Sequence, residues 1–229
     1  MLRRTRSSVV LEGGAHYLLD ASPDLSRQLV REHITHVDAL FLTHNHFDHC
    51  GGIGELESYV RICRQEAIPA YMSTESRNWF DTSYGYMSDC LTVTPWHIGT
   101  SVKLKGVTCT ALEVQHAPGT IGVLLELDSG SRAAYLPDTG PLPEGTKERL
   151  RGIETLILGA TFWKENQMPE THLSVQEAVE IALKLKVRDL YLTHVSMHYE
   201  PVTDSELVGY LQSCGSNVHL AYDGLGIEI

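Results

Sequence analysis

The chain has 229 residues, 42% of them hydrophobic, enough for one well-cored domain spanning 1–229. Its formal net charge of −11, with no basic run beyond the first few arginines, repels long polyanions and argues against a nucleic-acid groove. No stretch approaches the roughly 18 to 20 apolar residues of a membrane span, and the opening MLRRTRSSVVLEGG lacks a signal-peptide core, so the expectation is a cytoplasmic protein without membrane partners.

In chain order, SVVLEGGAHYLLD (8–20) reads as a hairpin turning at Gly13-Gly14, and VDALFLT (37–43) as a buried strand. Between them SPDLSRQLVREH (22–33) predicts a helix with Ser22 as N-cap, Pro23 at the first helical position, and Leu25, Leu29 and Val30 on one side. The segment 76–99 mixes aromatics with turn formers and gives no clear period. Strands follow in SVKLKGVTCTALEV (101–114), in TIGVLLELDSGSRAAYLPD (120–138) with a turn at Asp128-Ser129-Gly130, and in ETLILGA (154–160). SVQEAVEIALKLK (174–186) predicts a helix with a capping box, Ser174 answering Glu177, and Val175, Ala178, Val179, Ala182 and Leu183 facing a core. DLYLTH (189–194) is a strand, TDSELVGYLQSCG (203–215) a helix, NVHLAYD (217–223) a strand and GLGIEI (224–229) a terminal one. Each half carries a strand ending in LTH, at Thr43-His44 and Thr193-His194, which suggests two packed sheets with helices outside.

THNHFDHCGG (43–52) places His44, His46, Asp48 and His49 within six positions at the end of a buried strand. His44 and His46, two apart, project to one side of an extended chain, whereas the adjacent Asp48 and His49 diverge, so two neighbouring metals fit the four better than one. Two metals about 3.5 to 4 Å apart ask for further ligands and a bridging carboxylate. His116 in EVQHAPG, Asp138 in YLPDTG and His194 in YLTHVS stand at other strand ends. Five cysteines without a CxxC pair make a disulfide framework or a cysteine-type zinc site unexpected.

The run HNHFDH resembles the HxHxDH signature of the metallo-β-lactamase superfamily, and QHAPG, LPDTG and LTHVS resemble its later metal motifs. The resemblance spans essentially the whole chain. It implies an α/β (α+β) fold, a four-layer αββα sandwich with metals at one edge between the sheets. It assigns His44, His46 and His116 to one metal, Asp48, His49 and His194 to the other, and Asp138 to both, with Asp20 of YLLDAS supporting the metal loop from behind. The segments LLDASPD, HAPGTIGVLLEL, LPDTGPLPE, THLSV and AYDGLGIEI are most similar to the branch containing tRNase Z, the phosphodiesterase PhnP and PqqB. His172 in ETHLSV matches the extra histidine of the phosphodiesterases, and its place two residues before a helix N-cap would suit an anionic phosphate.

Two departures qualify the transfer. PhnP begins with a Gly-rich strand and a cysteine cluster for a structural zinc, so the expectation here is a fold without that first strand and zinc, or a chain without its natural start; an edge so exposed could pair in a homodimer. Where PhnP has a further histidine after its LTHxS motif, this chain has Met197 and then His198. His198 and Tyr199 are candidates for lining the pocket, and Trp163 of TFWKEN for a substrate wall.

The expected function is hydrolysis of a small or cyclic phosphodiester by a metal-bridging hydroxide, with Asp48 an ionised ligand and His172 neutralising a phosphoryl oxygen or acting as general acid. The cofactors are two divalent ions, manganese or zinc, with iron or nickel also suited to such N/O sites. The alternatives are a PqqB-like iron-dependent oxygenase or hydroxylase in cofactor biosynthesis, a tRNase Z-like nuclease for which no tRNA-gripping arm is found, and a binding module without metal.

Overall fold

The computed structural model describes residues 4–196, 202–215 and 217–229. The described residues divide into two compact units, one of residues 5–100 with 118–120, the other of residue 4, residues 101–117 and the described residues from 121 onward.

In the first unit β1 (Val9–Glu12) and β2 (His16–Leu19) form the expected antiparallel hairpin. Then β3 (Ala39–Phe41), β4 (Ile68–Met72) and β5 (Leu91–Pro95) add one after another in parallel, giving the order β1-β2-β3-β4-β5. A parallel step needs a crossover. Here α1 (Leu25–Arg31) joins β2 to β3; α2 (Phe47–Cys50) and α3 (Glu55–Ser58), the latter continuing as a π-helical turn over Tyr59–Arg64, join β3 to β4; and α4 (Thr74–Ser83) joins β4 to β5. Leu18, Leu40, Ile68 and Met72 of the sheet pack with Leu25, Leu56 and Phe80 of the helices in one core.

The second unit holds seven strands in the order β12-β11-β10-β9-β8-β7-β6. The antiparallel part is β6 (Ser101–Leu104), β7 (Val107–Glu113), β8 (Ile121–Leu127) and β9 (Arg132–Leu136). β10 (Thr155–Gly159), β11 (Asp189–Thr193) and β12 (Val218–Leu220) then run parallel to β9. Two successive antiparallel pairings leave β7 pointing the same way as β9. The helices α5 (Glu144–Leu150), α6 (Val175–Leu185) and α7 (Asp204–Cys214) flank this sheet and share its core through Leu150, Val175, Ala178, Leu207 and Leu211. Both sheets are thus mixed and flanked by helices, as the expected fold class requires.

Several local expectations are corrected. Helix α1 starts at Leu25 with Asp24, not Ser22, in the cap position. The Ser22 hydroxyl accepts from the Asp24 amide and donates to Gln28 Oε1, closing a turn ahead of the helix, while the Asp24 carboxylate is taken by Arg6. Val30 is exposed, and so is Leu183 of α6, where Leu185 takes the buried position. The capping box of α6 is as expected, with both reciprocal bonds between Ser174 and Glu177 present. The terminal GLGIEI segment is not a strand: β12 is the edge of its sheet, and a turn at Tyr222–Leu225 with Gly224 at φ +81° carries the chain away from it. The stretch without a legible period holds α4, a 3-10 turn at Gly85–Met87 and β5. Among the described residues no helix is long and apolar enough to cross a membrane.

Gly159, the last residue of β10, marks a close approach. A Cβ there would stand 1.8 Å from the Pro137 carbonyl oxygen, a backbone atom that cannot turn aside. Gly159→Ala is therefore expected to cost about 3 kcal/mol, a fall in Tm of roughly 6 to 12 °C for a chain of this size. Gly13→Ala, where nothing lies within 4 Å, is the control for thermal unfolding, and equal midpoints for the two variants would refute the close-approach argument.

Candidate metal centre

In both units the candidate residues follow the carboxyl ends of like-directed strands, where chains in parallel sheets turn into loops free to carry side chains for chemistry. In the first unit Asp20 follows β2, and Thr43-His44 lies two residues past β3. In the second, His116 follows β7, Asp138 follows β9, Thr161 follows β10 and His194 follows β11.

Asp20 organises the first set. It is wholly buried and has a left-handed backbone, φ +61°. Its Oδ1 accepts from the Thr43 amide at 2.8 Å, while Oδ2 accepts from the Thr43 hydroxyl at 3.0 Å and from His49 Nδ1 at 2.8 Å. Because the Thr43 proton goes to Asp20, the lone pair of that hydroxyl takes the Nδ1 proton of His44, 3.0 Å away. Both buried imidazoles are thereby held in the tautomer that presents Nε2, the arrangement by which an outer carboxylate orients metal-binding histidines. The His44 ring lies 4.5 Å from that of His46 and 4.4 Å from that of His49, and His49 Nε2 is 3.3 Å from Asp48 Oδ2. Gly52 lets the loop close: its amide donates to Ala21 O, and a Cβ would stand 2.0 Å from Ser22 O. Cys50, next to His49, donates to Asn45 O, and burial pushes its thiol up to about 12, so it is a neutral filler of the core.

Asp138, 2% exposed, is the centre of the second set. Its Oδ1 lies 3.3 Å from His172 Nδ1 and 3.5 Å from His194 Nε2. His116 donates Nδ1 to Thr171 O at 2.9 Å, and its ring meets that of His172 at 4.8 Å. Donor atoms of His116, Asp138 and His172 all fall within 4.8 Å of one another. The Thr161 hydroxyl lies between His172 Nδ1, at 3.2 Å, and His194 Nδ1, at 3.1 Å.

The donor set passes a chemical test for metal. It consists of imidazole nitrogens and carboxylate oxygens, the ligands zinc, manganese, iron and nickel accept. The separation of His194 Nε2 from Asp138 Oδ1 is of the size two ligands of one ion take, given bonds of about 2.0–2.2 Å.

Thr161 and Asn166 escaped the sequence reading. Asn166 donates its amide both to His172 O and to Glu177 Oε2, tying the histidine's backbone to the cap of α6. Burial opposes ionisation of Glu177, yet bonds from the Ser174 amide, Asn166 and the Ser174 hydroxyl hold its carboxyl below the usual range. An ionised Glu177 thus stands in the first turn of α6, at the positive end of the helix near His172. Trp163, the candidate for a substrate wall, packs edge-on against Tyr210 of α7, with ring centroids 5.2 Å apart. His198 and Tyr199 lie outside the described residues.

Residues 16–195 match the family described as a beta-lactamase superfamily domain. The chain belongs to the metallo-β-lactamase superfamily. A solved diphosphatase of the PhnP family is 30% identical, with a TM-score of 0.83 over 99% of this chain and 85% of that one. Zinc-bound PqqB from Methylobacterium extorquens has the same fold, at a TM-score of 0.85 and 17% identity over 100% of this chain and 89% of that one. An octanoyltransferase of Porphyromonas gingivalis is 26% identical over 237 residues, 97% of this chain but 44% of that protein. The chain thus spans less than half of that curated relative. The fold and the branch are those the motifs implied.

Proposed function

We propose that this metallo-β-lactamase-fold chain is a metal-dependent phosphodiesterase acting on a small or cyclic phosphodiester. The two donor sets, His44, His46, Asp48 and His49 with His116, Asp138 and His194, serve a pair of divalent ions. Such ions, when bound, supply an activated water near neutral pH and neutralise charge on the phosphoryl group.

The observation that carries the reading is the setting of His172. Its Nδ1 is engaged by Thr161 Oγ1 and lies 3.3 Å from Asp138 Oδ1, and its backbone carbonyl is held by Asn166. Nε2 is the nitrogen left to meet a substrate, where it neutralises a phosphoryl oxygen or gives its proton to the departing alkoxide as the water oxygen bonds to phosphorus. Asp20 and Thr43 keep His44 and His49 in the required tautomers. The likeness to a PhnP-family diphosphatase supports chemistry at phosphorus, and the net charge of −11 supports a small ester over a long nucleic acid.

The test is hydrolysis of bis(p-nitrophenyl) phosphate by chelated protein to which manganese, zinc or iron has been restored. The expected result is activity that disappears with chelation and returns when the proposed centre holds two metals. One iron per chain, no diester cleavage and oxygen consumption with a reductant would replace this reading with an oxygenase of PqqB type.

A further inference from the structure

We propose a second, separate transition-metal site at the opposite ends of the strands that lead to the first donor set, formed by His16, His36 and Asp38. Their donor atoms lie within 4.8 Å of one another. His16 Nδ1 and His36 Nε2 are 2.7 Å apart, with the two rings edge to face at 4.1 Å, and Asp38 Oδ2 is 3.6 Å from His36 Nε2.

The backbone builds this cluster firmly. His16 opens β2, Asp38 precedes β3, and the two strands run parallel with Tyr17 beside Ala39. The Asp38 amide donates to His16 O and the His16 amide donates to Asp38 Oδ2, both at 2.8 Å, so the two residues clasp each other reciprocally. His36, two residues before Asp38, brings the second imidazole to the same place. Asp20 and His44 lie past the other ends of these strands, and four residues of extended chain separate the two ends of β2 by about 13 Å.

An N···N distance of 2.7 Å requires one ring to present N–H and the other a lone pair, so the two imidazoles share one proton. A divalent ion takes the place of that proton. Tetrahedral bonds of about 2.0–2.1 Å place ligand nitrogens roughly 3.4 Å apart. The rings then need to open by about 0.7 Å, for which His36, its side chain 48% exposed, has room. Arg64 donates to Val37 O and stands 3.7 Å from Asp38 Oδ1, which steadies the carboxylate and also opposes weakly bound hard cations. Two imidazoles and one carboxylate, with water completing the shell, favour zinc, copper or nickel over magnesium or calcium. A metal there clamps the starts of β2 and β3 and raises the metal count of the purified chain without serving the reaction.

The experiment dialyses chelated full-length chain against a fixed concentration of free zinc and counts zinc per chain by elemental analysis, for wild type, His36→Ala and His36→Cys. His36 is at the surface, so its replacement spares the fold. The expected result is one zinc fewer per chain in His36→Ala and recovery of that zinc in His36→Cys, which restores a ligand. The same loss of one is expected when His36→Ala is added to an Asp138→Ala background, which separates this site from the proposed centre. Equal zinc in wild type and His36→Ala overturns the proposal, whatever the hydrolysis assay gives.

Discussion

Asp138→Ala is expected to abolish phosphodiester turnover and to lower the metal held by the proposed centre to one ion or none per chain. The carboxylate is buried, and its Oδ1 lies within 3.5 Å of both His172 Nδ1 and His194 Nε2. Removing it leaves Asp48 as the one carboxylate among the proposed ligands to balance two divalent charges, and the loss falls on binding as well as on rate. Elemental analysis beside the rate separates these effects. Full metal content with background turnover would make Asp138 a group that acts on the substrate; full metal and full turnover would sink the assignment altogether.

His172→Ala should behave differently, keeping its metal while slowing hydrolysis by roughly 10² to 10⁴ if the imidazole is the acid. The deficit should depend on the leaving group. p-Nitrophenolate departs without a proton, so the variant should be nearly normal on its esters and most impaired on alkyl esters, whose alkoxides need one. A uniform loss across leaving groups would point instead to charge neutralisation at the phosphoryl oxygen. Loss of metal in this variant would make His172 a ligand, in keeping with its place beside His116 and Asp138, and would end its role as acid.

The strands and their terminal histidines were legible because two local signals coincided, an apolar run and the ligand-type residues that follow it. HNHFDH needs no partner from afar to be noticed, and Ser174 with Glu177 announces α6 from three residues' spacing. What escaped depends on contacts distant in sequence. Thr161 matters because β10 ends beside β11 and brings its hydroxyl between two histidines, one of them 33 positions away. Asn166 matters because it reaches Glu177. Ser22 looked like a helix cap by type, but its carbonyl faces Gly52, thirty residues on, and Arg6 takes the carboxylate of the true cap residue. His16, His36 and Asp38 are scattered histidines and a common aspartate until the parallel pairing of β2 with β3 sets them side by side.

The direction of the strands has a practical side. The turn at Asp128-Ser129-Gly130 joins β8 to β9 at the end of β9 away from Asp138, its three residues are exposed, and nothing lies within 4 Å of a side chain added at Gly130. Exposed turns of this kind tolerate insertion and cutting. An affinity handle, a fluorophore or new chain termini placed there would tag the protein while leaving the donor-bearing loops as they are.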